Sequence, residues 1–142
     1  MTKLATKSPS VLISILNYNN FITTKKCVLS VLSCKLKNTE IFIIDNNSSD
    51  NSFSDLKREF PILTIKKSKV NGGYASGHKH AVNHAIKNNF EFIWILNNDL
   101  TVRPNTLGSL IAASNKHGLA LYGSITLKSE SPDIINFGGG IH

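Results

Sequence analysis

The order of apolar and polar residues along the chain predicts strands that alternate with helices. Five short apolar runs rich in β-branched residues are typical of strands: Val11–Leu16, Glu40–Ile44, Ile62–Ile65, Phe92–Leu96 and Leu119–Ile125. Helical spacing, caps and prolines predict helices between them: Phe21–Ser33, a short one after Ser48-Ser49 that ends before Pro61, Ser76–Asn88, and one from Pro104 to about His117.

This pattern predicts an α/β, doubly wound fold. The strands are almost uniformly apolar, so we expect helices on both faces of a mostly parallel, Rossmann-like sheet. Residues 1–9 are predicted to form a flexible leader and residues 10–142 a single domain. In such sheets ligands bind beyond the carboxyl ends of the strands.

Polar segments follow four of the predicted strands and are therefore expected to meet at one site. They are Asn17-Tyr18-Asn19, Asp45-Asn46-Asn47, Lys67 to Gly77, and Asn97-Asn98-Asp99.

Asp45 ends an apolar strand, which leaves two interpretations of its carboxylate. It can accept the N3–H of a uracil or thymine ring, a donor that needs an acceptor when it is buried. It can equally be a turn or cap aspartate ahead of Ser48 and Ser49. The residue alone does not decide between them.

Gly72 and Gly73 permit positive φ and close approach of the backbone, and a helix follows them directly. The free N–H groups of a helix N-terminus favour an anion such as a phosphate. The segment is neither a GxGxxG turn after a first strand nor a Walker-type loop. This absence argues against dinucleotide binding and against P-loop chemistry.

Asp99 lies within the stretch "WILNNDLTV", just outside a predicted strand. Mg²⁺ and Mn²⁺ prefer hard oxygen ligands, often one or two carboxylates together with substrate phosphates. Asn97 lies two residues earlier, on the same side of an extended segment. The pair therefore predicts a site for a divalent cation, and an ordinary turn aspartate is the alternative.

The bulk composition narrows the classes of partner. The formal net charge is +7, which favours anionic ligands, but no long basic block is present and we expect no nucleic-acid partner. His80 and His84 have helical i, i+4 spacing without a third ligand, so no zinc site is expected. Cys27 and Cys34 are about 10 Å apart along one predicted helix, too far for a disulfide.

The ordered set of motifs resembles the N-terminal half of the inverting glycosyltransferases of family 2, which have the GT-A fold, and especially the rhamnosyltransferase-like members. The segments that carry the resemblance are "ISILNYNN", "FIIDNNSSD", "NGGYASGH" and "LNNDLTVRP". Their order and spacing are similar to the family pattern from about Val11 to Leu110.

The resemblance implies a nucleotide-diphospho-sugar donor of the UDP or dTDP type. Asp45 would accept the base N3–H, and Asp99 with Asn97 would hold Mn²⁺ or Mg²⁺ against the diphosphate. The remaining nucleotide-binding residues implied by the resemblance are Asn17, Tyr18, Asn19, Asn47, Gly72, Gly73, Gly77, His78 and Asn98.

The sequence departs from the family pattern at three points. Asn97 replaces the first acid of an Asp-x-Asp motif, and His78 with Lys79 replaces common amides. The acceptor half, which carries the general base in the family, has no counterpart here, and Glu130 and Asp133 lack the family context. The chain therefore resembles a donor-binding half, and the catalytic residue is unknown.

The expected reaction is transfer of a sugar, with rhamnose suggested by the subfamily, to a polysaccharide or lipid-linked acceptor. The alternatives are a non-catalytic nucleotide-binding or partner-binding remnant, and another α/β nucleotide protein such as a methyltransferase or nucleotidylyltransferase. No apolar run approaches the roughly 20 residues of a membrane span, and "MTKLATKSPS" does not look like a secretory signal. We expect a cytoplasmic protein, with peripheral membrane association and homodimerisation as open interactions.

Overall fold

The computed structural model describes residues 9–131 and 133–138. The predicted leader lies outside the described residues except for Pro9. The chain divides into two compact units, Met1–Val102 and Arg103–His142. The prediction of one domain over residues 10–142 stays a prediction.

The first unit alternates strands and helices, as the sequence predicts. In chain order the elements are β1 (Val11–Asn17), α1 (Phe21–Ser33), β2 (Thr39–Asp45), α2 (Ser52–Glu59), β3 (Thr64–Lys67), α3 (Gly73–Lys87) and β4 (Phe92–Asn97). All three strand pairings are parallel, and the order across the sheet is β3-β2-β1-β4. The predicted α/β fold with a mostly parallel sheet is confirmed.

The core forms around β1, whose backbone is paired on both sides. Val11 lies opposite Thr39 of β2 and opposite Phe92 of β4. Leu12, Ile13 and Ile15 are completely buried, which explains why β1 has no alternation of apolar and polar residues.

Two helices pack with small or apolar side chains inward. Asn20 caps α1 by accepting from the backbone N–H of Thr23 at 3.2 Å. In α3, Ala81 and Ala85 pack against a cluster that includes Leu12 and Phe42. A Cβ atom on Gly77 would lie 2.4 Å from Cδ1 of Leu16, so glycine permits the close approach of α3 to β1.

The outer strands differ from their predicted bounds and burial. Strand β3 begins two residues later than predicted because Ile62 is exposed to solvent ahead of it. Strand β4 is an outer strand of the four-stranded sheet, and Ile95 is exposed.

The second unit contains α4 (Thr106–His117) and an antiparallel pair, β5 (Thr126–Leu127) and β6 (Ile135–Phe137). The predicted strand Leu119–Ile125 is wrong, since Leu119 and Leu121 are fully exposed and not paired in a sheet. A strand needs a hydrogen-bonding neighbour. Residues 135–137 provide one only opposite Thr126 and Leu127.

Two further features concern the helices and the cysteines. Within the described part of the chain, no helix combines the length and the apolar character that crossing a membrane requires. Cys27 and Cys34 are both free thiols.

Candidate functional site

The parallel register brings polar strand ends to one edge of the sheet. Asn17, the last residue of β1, lies opposite Asp45, the last residue of β2. Leu16 lies opposite Asn97 at the end of β4. All strands of this sheet run in the same direction, so their carboxyl ends lie at one edge. Ligands of such sheets bind at that edge.

A buried polar cluster joins the ends of β1 and β2. We call Asn17, Thr24, Asp45 and Ser48 the strand-end cluster, and all four side chains are buried. The amide nitrogen Nδ2 of Asn17 donates to Oδ2 of Asp45 at 2.8 Å and to Oγ of Ser48 at 3.2 Å. Thr24 Oγ1 donates to Oδ1 of Asn17 at 2.7 Å. Each side chain of the strand-end cluster thus has a hydrogen-bond partner inside the protein.

Both carboxylate oxygens of Asp45 accept hydrogen bonds from the protein. Oδ1 accepts from the backbone N–H of Ser48 at 2.9 Å, and Oδ2 accepts from Asn17. The Ser48 contact, three residues along the chain, is the bond that a turn aspartate makes. Asp45 is fully buried, so its contact with a nucleotide base stays a prediction.

Asn19 and Asn47 shape the turns that follow β1 and β2. Both adopt positive φ, 47° and 63°, a conformation that asparagine tolerates better than most residues. Asn19 Oδ1 accepts from the backbone N–H of Ser49 at 2.8 Å, which links the two turns. Both side chains are exposed at the same edge of the sheet.

The glycine segment forms the start of α3. Asn71 Oδ1 accepts from Nδ2 of Asn46 at 2.8 Å and from the backbone N–H of Gly73 at 3.0 Å. Gly73 has φ of 79°, which explains glycine at this position. Asn46 therefore fixes the helix N-terminus to the end of β2, and Gly72 precedes the first helical residue.

His78 lies inside the unit, below the glycine segment. Its Nδ1 is 2.7 Å from Ser14 Oγ of β1, and its ring contacts Tyr74 edge-on at 4.5 Å between centroids. Burial lowers the pKa of His78 because the charged ring would lose its hydration. The uncharged ring is therefore favoured, and contact of His78 with a nucleotide stays a prediction.

A cleft of about 300 Å³ opens beside this buried layer. Its walls come from the ends of β1 and β4 and from the first turn of α3. The lining residues are Leu16, Tyr18, Asn20, Tyr74, Asn97, Asn98 and Asp99. Tyr18, Tyr74 and Asp99 are exposed, so a ligand can reach two aromatic rings and a carboxylate.

The cleft divides the predicted site residues into two groups. Tyr18, Asn97, Asn98 and Asp99 line it. The others do not: Asn17, Asp45, Gly77 and His78 are buried, and Asn19, Asn47, Gly72 and Gly73 are exposed outside the lining.

Three cleft residues were not among the predicted site residues. Leu16 is an apolar strand residue and Asn20 is a helix cap, and neither carries a signal for ligand binding in the sequence. Tyr74 does carry one, because it is an aromatic residue directly after the two glycines and two residues before the predicted helix.

The negative charge of Asp99 contributes to a raised pKa in two neighbouring groups. Partial desolvation raises the pKa of the Tyr74 hydroxyl, although the side chain as a whole is exposed, and the nearby Asp99 carboxylate raises this pKa further. Burial and then Asp99 raise the pKa of Cys27 to about 12. Asp99 is thus the source of negative potential in the cleft.

The oxygen atoms of Asp99 and Asn97 suit a cation that takes its remaining ligands from water or a bound phosphate. Asp99 offers a carboxylate and Asn97 a side-chain amide oxygen, both at the cleft. Among the described residues, no three His, Cys, Asp or Glu side chains group as a complete metal site. Mg²⁺ and Mn²⁺ commonly use one or two carboxylates and complete their shell with water and phosphate oxygens, so the residues present fit such an ion.

The comparison with protein families identifies one family. Residues 10–137 match the family described as "Glycosyl transferase family 2". No curated protein matches the chain significantly.

Solved structures of glycosyltransferases share the fold. A mannosyltransferase from Pyrobaculum calidifontis, in complex with GDP-Man and Mn²⁺, is 21% identical with a TM-score of 0.64 over 75% of this chain. TarS 1-349 from S. aureus, in complex with UDP-GlcNAc, is 17% identical with a TM-score of 0.63 over 82% of this chain. The chain spans only 32% and 38% of the lengths of those two proteins.

Proposed function

The chain belongs to glycosyl transferase family 2, and we propose that its cleft binds the nucleotide-diphospho-sugar donor of a glycosyl transfer. The observation that carries this proposal is the grouping of Asp99, Asn97, Tyr18 and Tyr74 around one cleft at the strand ends. A carboxylate beside aromatic surface suits a ligand with a charged diphosphate and a planar base.

The aromatic side chains are proposed to contact the nucleoside. Tyr18 follows β1 and Tyr74 opens α3, so the two rings reach the cleft from different elements. The N-terminus of α3 adds the positive end of its dipole, which favours a phosphate. We propose that Asp45 acts indirectly, by orienting its neighbours, rather than by accepting a hydrogen bond from the base, since Asp45 is fully buried.

Asp99 and Asn97 are the residues proposed to hold Mn²⁺ or Mg²⁺. When bound, such an ion stabilises negative charge on a diphosphate leaving group. Asp99 supplies the charge that attracts the ion, and Asn97 supplies a neutral oxygen. The mannosyltransferase of similar fold is in complex with Mn²⁺ and GDP-Man, which supports a divalent cation in this proposal.

The proposed reaction is transfer with inversion to a hydroxyl of a polysaccharide or lipid-linked acceptor. The hydroxyl oxygen bonds to the anomeric carbon, the bond from that carbon to the diphosphate breaks, and a base accepts the hydroxyl proton. UDP- or dTDP-type donors and a rhamnosyl group remain the specific proposals. A cytoplasmic location at the inner face of the membrane and a homodimer are proposed with them.

Calorimetric titration of the chain with UDP, dTDP and GDP, each with and without Mn²⁺, tests the proposal. We expect one pyrimidine diphosphate to bind in a metal-dependent manner. Asp99→Asn should abolish the dependence on Mn²⁺ because it removes the carboxylate.

Asp55→Asn is the matched control, since Asp55 lies on α2 in a surface ion pair with Arg58 and outside the cleft lining. Equal binding by wild type and Asp99→Asn would overturn the site assignment. Binding without any sugar transfer to an acceptor would instead favour a nucleotide-binding module.

A further inference from the structure

A continuous chain of hydrogen bonds runs from a buried carboxylate to the wall of the cleft. Asn98 Nδ2 donates to Thr24 Oγ1 at 2.9 Å, Thr24 Oγ1 donates to Asn17 Oδ1 at 2.7 Å, and Asn17 Nδ2 donates to Asp45 Oδ2 at 2.8 Å. Asn98 lines the cleft, whereas the other three are completely buried.

The direction of every bond in this chain is fixed at its inner end. Asp45 Oδ1 faces the backbone N–H of Ser48, which can only donate. As a carboxylate, Asp45 only accepts. Asn17 must therefore present its NH₂ group to Asp45, and the second N–H of that group reaches Ser48 Oγ.

The same logic passes outward to the cleft. Because both amide hydrogens of Asn17 are used, its carbonyl oxygen faces Thr24, whose single hydroxyl hydrogen must donate to it. Toward Asn98, Thr24 can then only accept. Asn98 must direct its NH₂ group inward, and the amide geometry directs its carbonyl oxygen Oδ1 away from Thr24.

We propose that Thr24 is a positioning residue: it transmits the acceptor-only character of buried Asp45 to Asn98, whose carbonyl oxygen is thereby held as an acceptor for the ligand in the cleft. This inference rests on the proposed function for its ligand, but not for the orientation of the amide. It assigns Thr24, on the first turns of α1, a role in binding although it is buried and outside the cleft lining.

Nuclear magnetic resonance of the side-chain amide of Asn98 tests the orientation without any nucleotide. In the wild type its NH₂ signals should show a hydrogen-bonded proton in slow exchange with water. Thr24→Ser keeps the hydroxyl and should keep the signature. Thr24→Val has a similar shape without the hydroxyl and should lose it, as should Asp45→Asn, which removes the acceptor-only group.

A double-mutant cycle in UDP and Mn²⁺ binding tests the consequence. We expect Asn98→Ala and Thr24→Val each to weaken binding about three- to tenfold, the scale of one hydrogen bond. Thr24→Ser should restore near wild-type affinity. In the Asn98→Ala background, Thr24→Val should cause no further loss, because Thr24 acts only through Asn98.

The outcomes separate this inference from the proposed function. If the wild type does not bind UDP with Mn²⁺, the proposed function fails, and the amide signals still decide the orientation. If the wild type binds but Thr24→Val weakens binding equally with and without Asn98, Thr24 is merely structural and the inference is overturned. Should Thr24→Val not fold, rapid solvent exchange of both Asn98 amide protons in the wild type would overturn it.

Discussion

Strands β2 and β4 pair with the two sides of β1, and their carboxyl ends differ in exposure and in partners. At the end of β2, Asp45 is fully buried and both of its oxygens accept bonds from the protein. Two residues beyond the last residue of β4, Asp99 is exposed at a cleft. The first carboxylate organises neighbouring turns, and the second is available to a ligand.

Two aspartates near the carboxyl ends of parallel strands, one in the last position of β2 and one two residues beyond β4, thus have different roles. A carboxylate whose partners are all internal contributes to folding and to the orientation of its neighbours. A carboxylate at a cleft contributes little to folding and is available for binding. Substitutions at the two strand ends should therefore have opposite effects, with a loss of stability at Asp45 and a loss of binding at Asp99.

The largest expected effect on stability comes from Asp45→Ala. It leaves the backbone N–H of Ser48 and one N–H of Asn17 without their acceptor, and we expect the free energy of unfolding to fall by about 2–4 kcal/mol. Urea denaturation followed by circular dichroism measures it. Asp55→Ala, which removes a surface ion pair with Arg58, should cost less than about 1 kcal/mol. Similar losses for the two variants would contradict the assignment of Asp45.

Gly77→Ala should have the next largest effect, because it introduces a methyl group between α3 and β1. The new Cβ would lie 2.4 Å from Cδ1 of Leu16, and overpacking of this kind costs about 1–3 kcal/mol. Leu16 also lines the cleft, so nucleotide affinity should fall as well. Gly108 on α4 is the matched control, since a Cβ there meets nothing within 4 Å. A melting temperature lower for Gly108→Ala than for Gly77→Ala would be evidence against the close approach of α3 to β1.

A smaller effect is expected from pH through His78. Burial lowers its pKa in the folded state, so the unfolded state binds a proton at higher pH than the folded state does. Stability is then complete above the ordinary histidine pKa of about 6.5 and is lost as the pH falls from there toward the folded-state pKa. The slope for one proton is at most about 1.4 kcal/mol per pH unit.

Urea midpoints measured across this pH range should show a steeper loss in the wild type than in His78→Gln. His117, an exposed residue at the end of α4, offers the control His117→Gln, which should leave the slope unchanged. An identical slope in all three proteins would mean that His78 does not resist protonation in the folded state.

The smallest effect on stability is expected at the residue with the largest expected effect on metal-dependent binding. Asp99→Ala should change the free energy of unfolding by less than about 0.5 kcal/mol, as exposed substitutions usually do. Urea denaturation of the wild type and of Asp99→Ala, both without nucleotide, measures this difference in the free energy of unfolding. A loss as large as that of Asp45→Ala would show that the end of β4 is as integral to folding as the end of β2.

Much of the first unit could be predicted from the sequence because local signals agree with tertiary packing. Helix α1 has the predicted bounds, since Asn20 is a capping residue and the apolar spacing is regular. The error at Leu119–Ile125 has a different origin. An apolar run shows that a segment suits a strand, but not that a neighbouring strand exists to pair with it.

The candidate site was predictable as a place rather than as a set of contacts. Polar residues at the ends of parallel strands locate it, and Tyr18, Asn98 and Asp99 do line the cleft. The sequence could not tell that Asp45 and His78 are buried, because their residue types and immediate neighbours do not distinguish them from exposed polar residues. Burial of a polar group depends on partners such as Asn17 and Ser14, which the fold brings from distant positions.

The contact between Cys27 and the end of β4 gives the protein a built-in chemical reporter. Cys27 Sγ donates to the backbone oxygen of Asn97 at 3.5 Å, and its pKa of about 12 leaves almost no thiolate near neutral pH. An alkylating reagent should therefore modify the partly exposed Cys34 first. Modification of Cys27 then requires α1 to separate from the end of β4. The rate of that modification would report how often this contact beside the cleft opens.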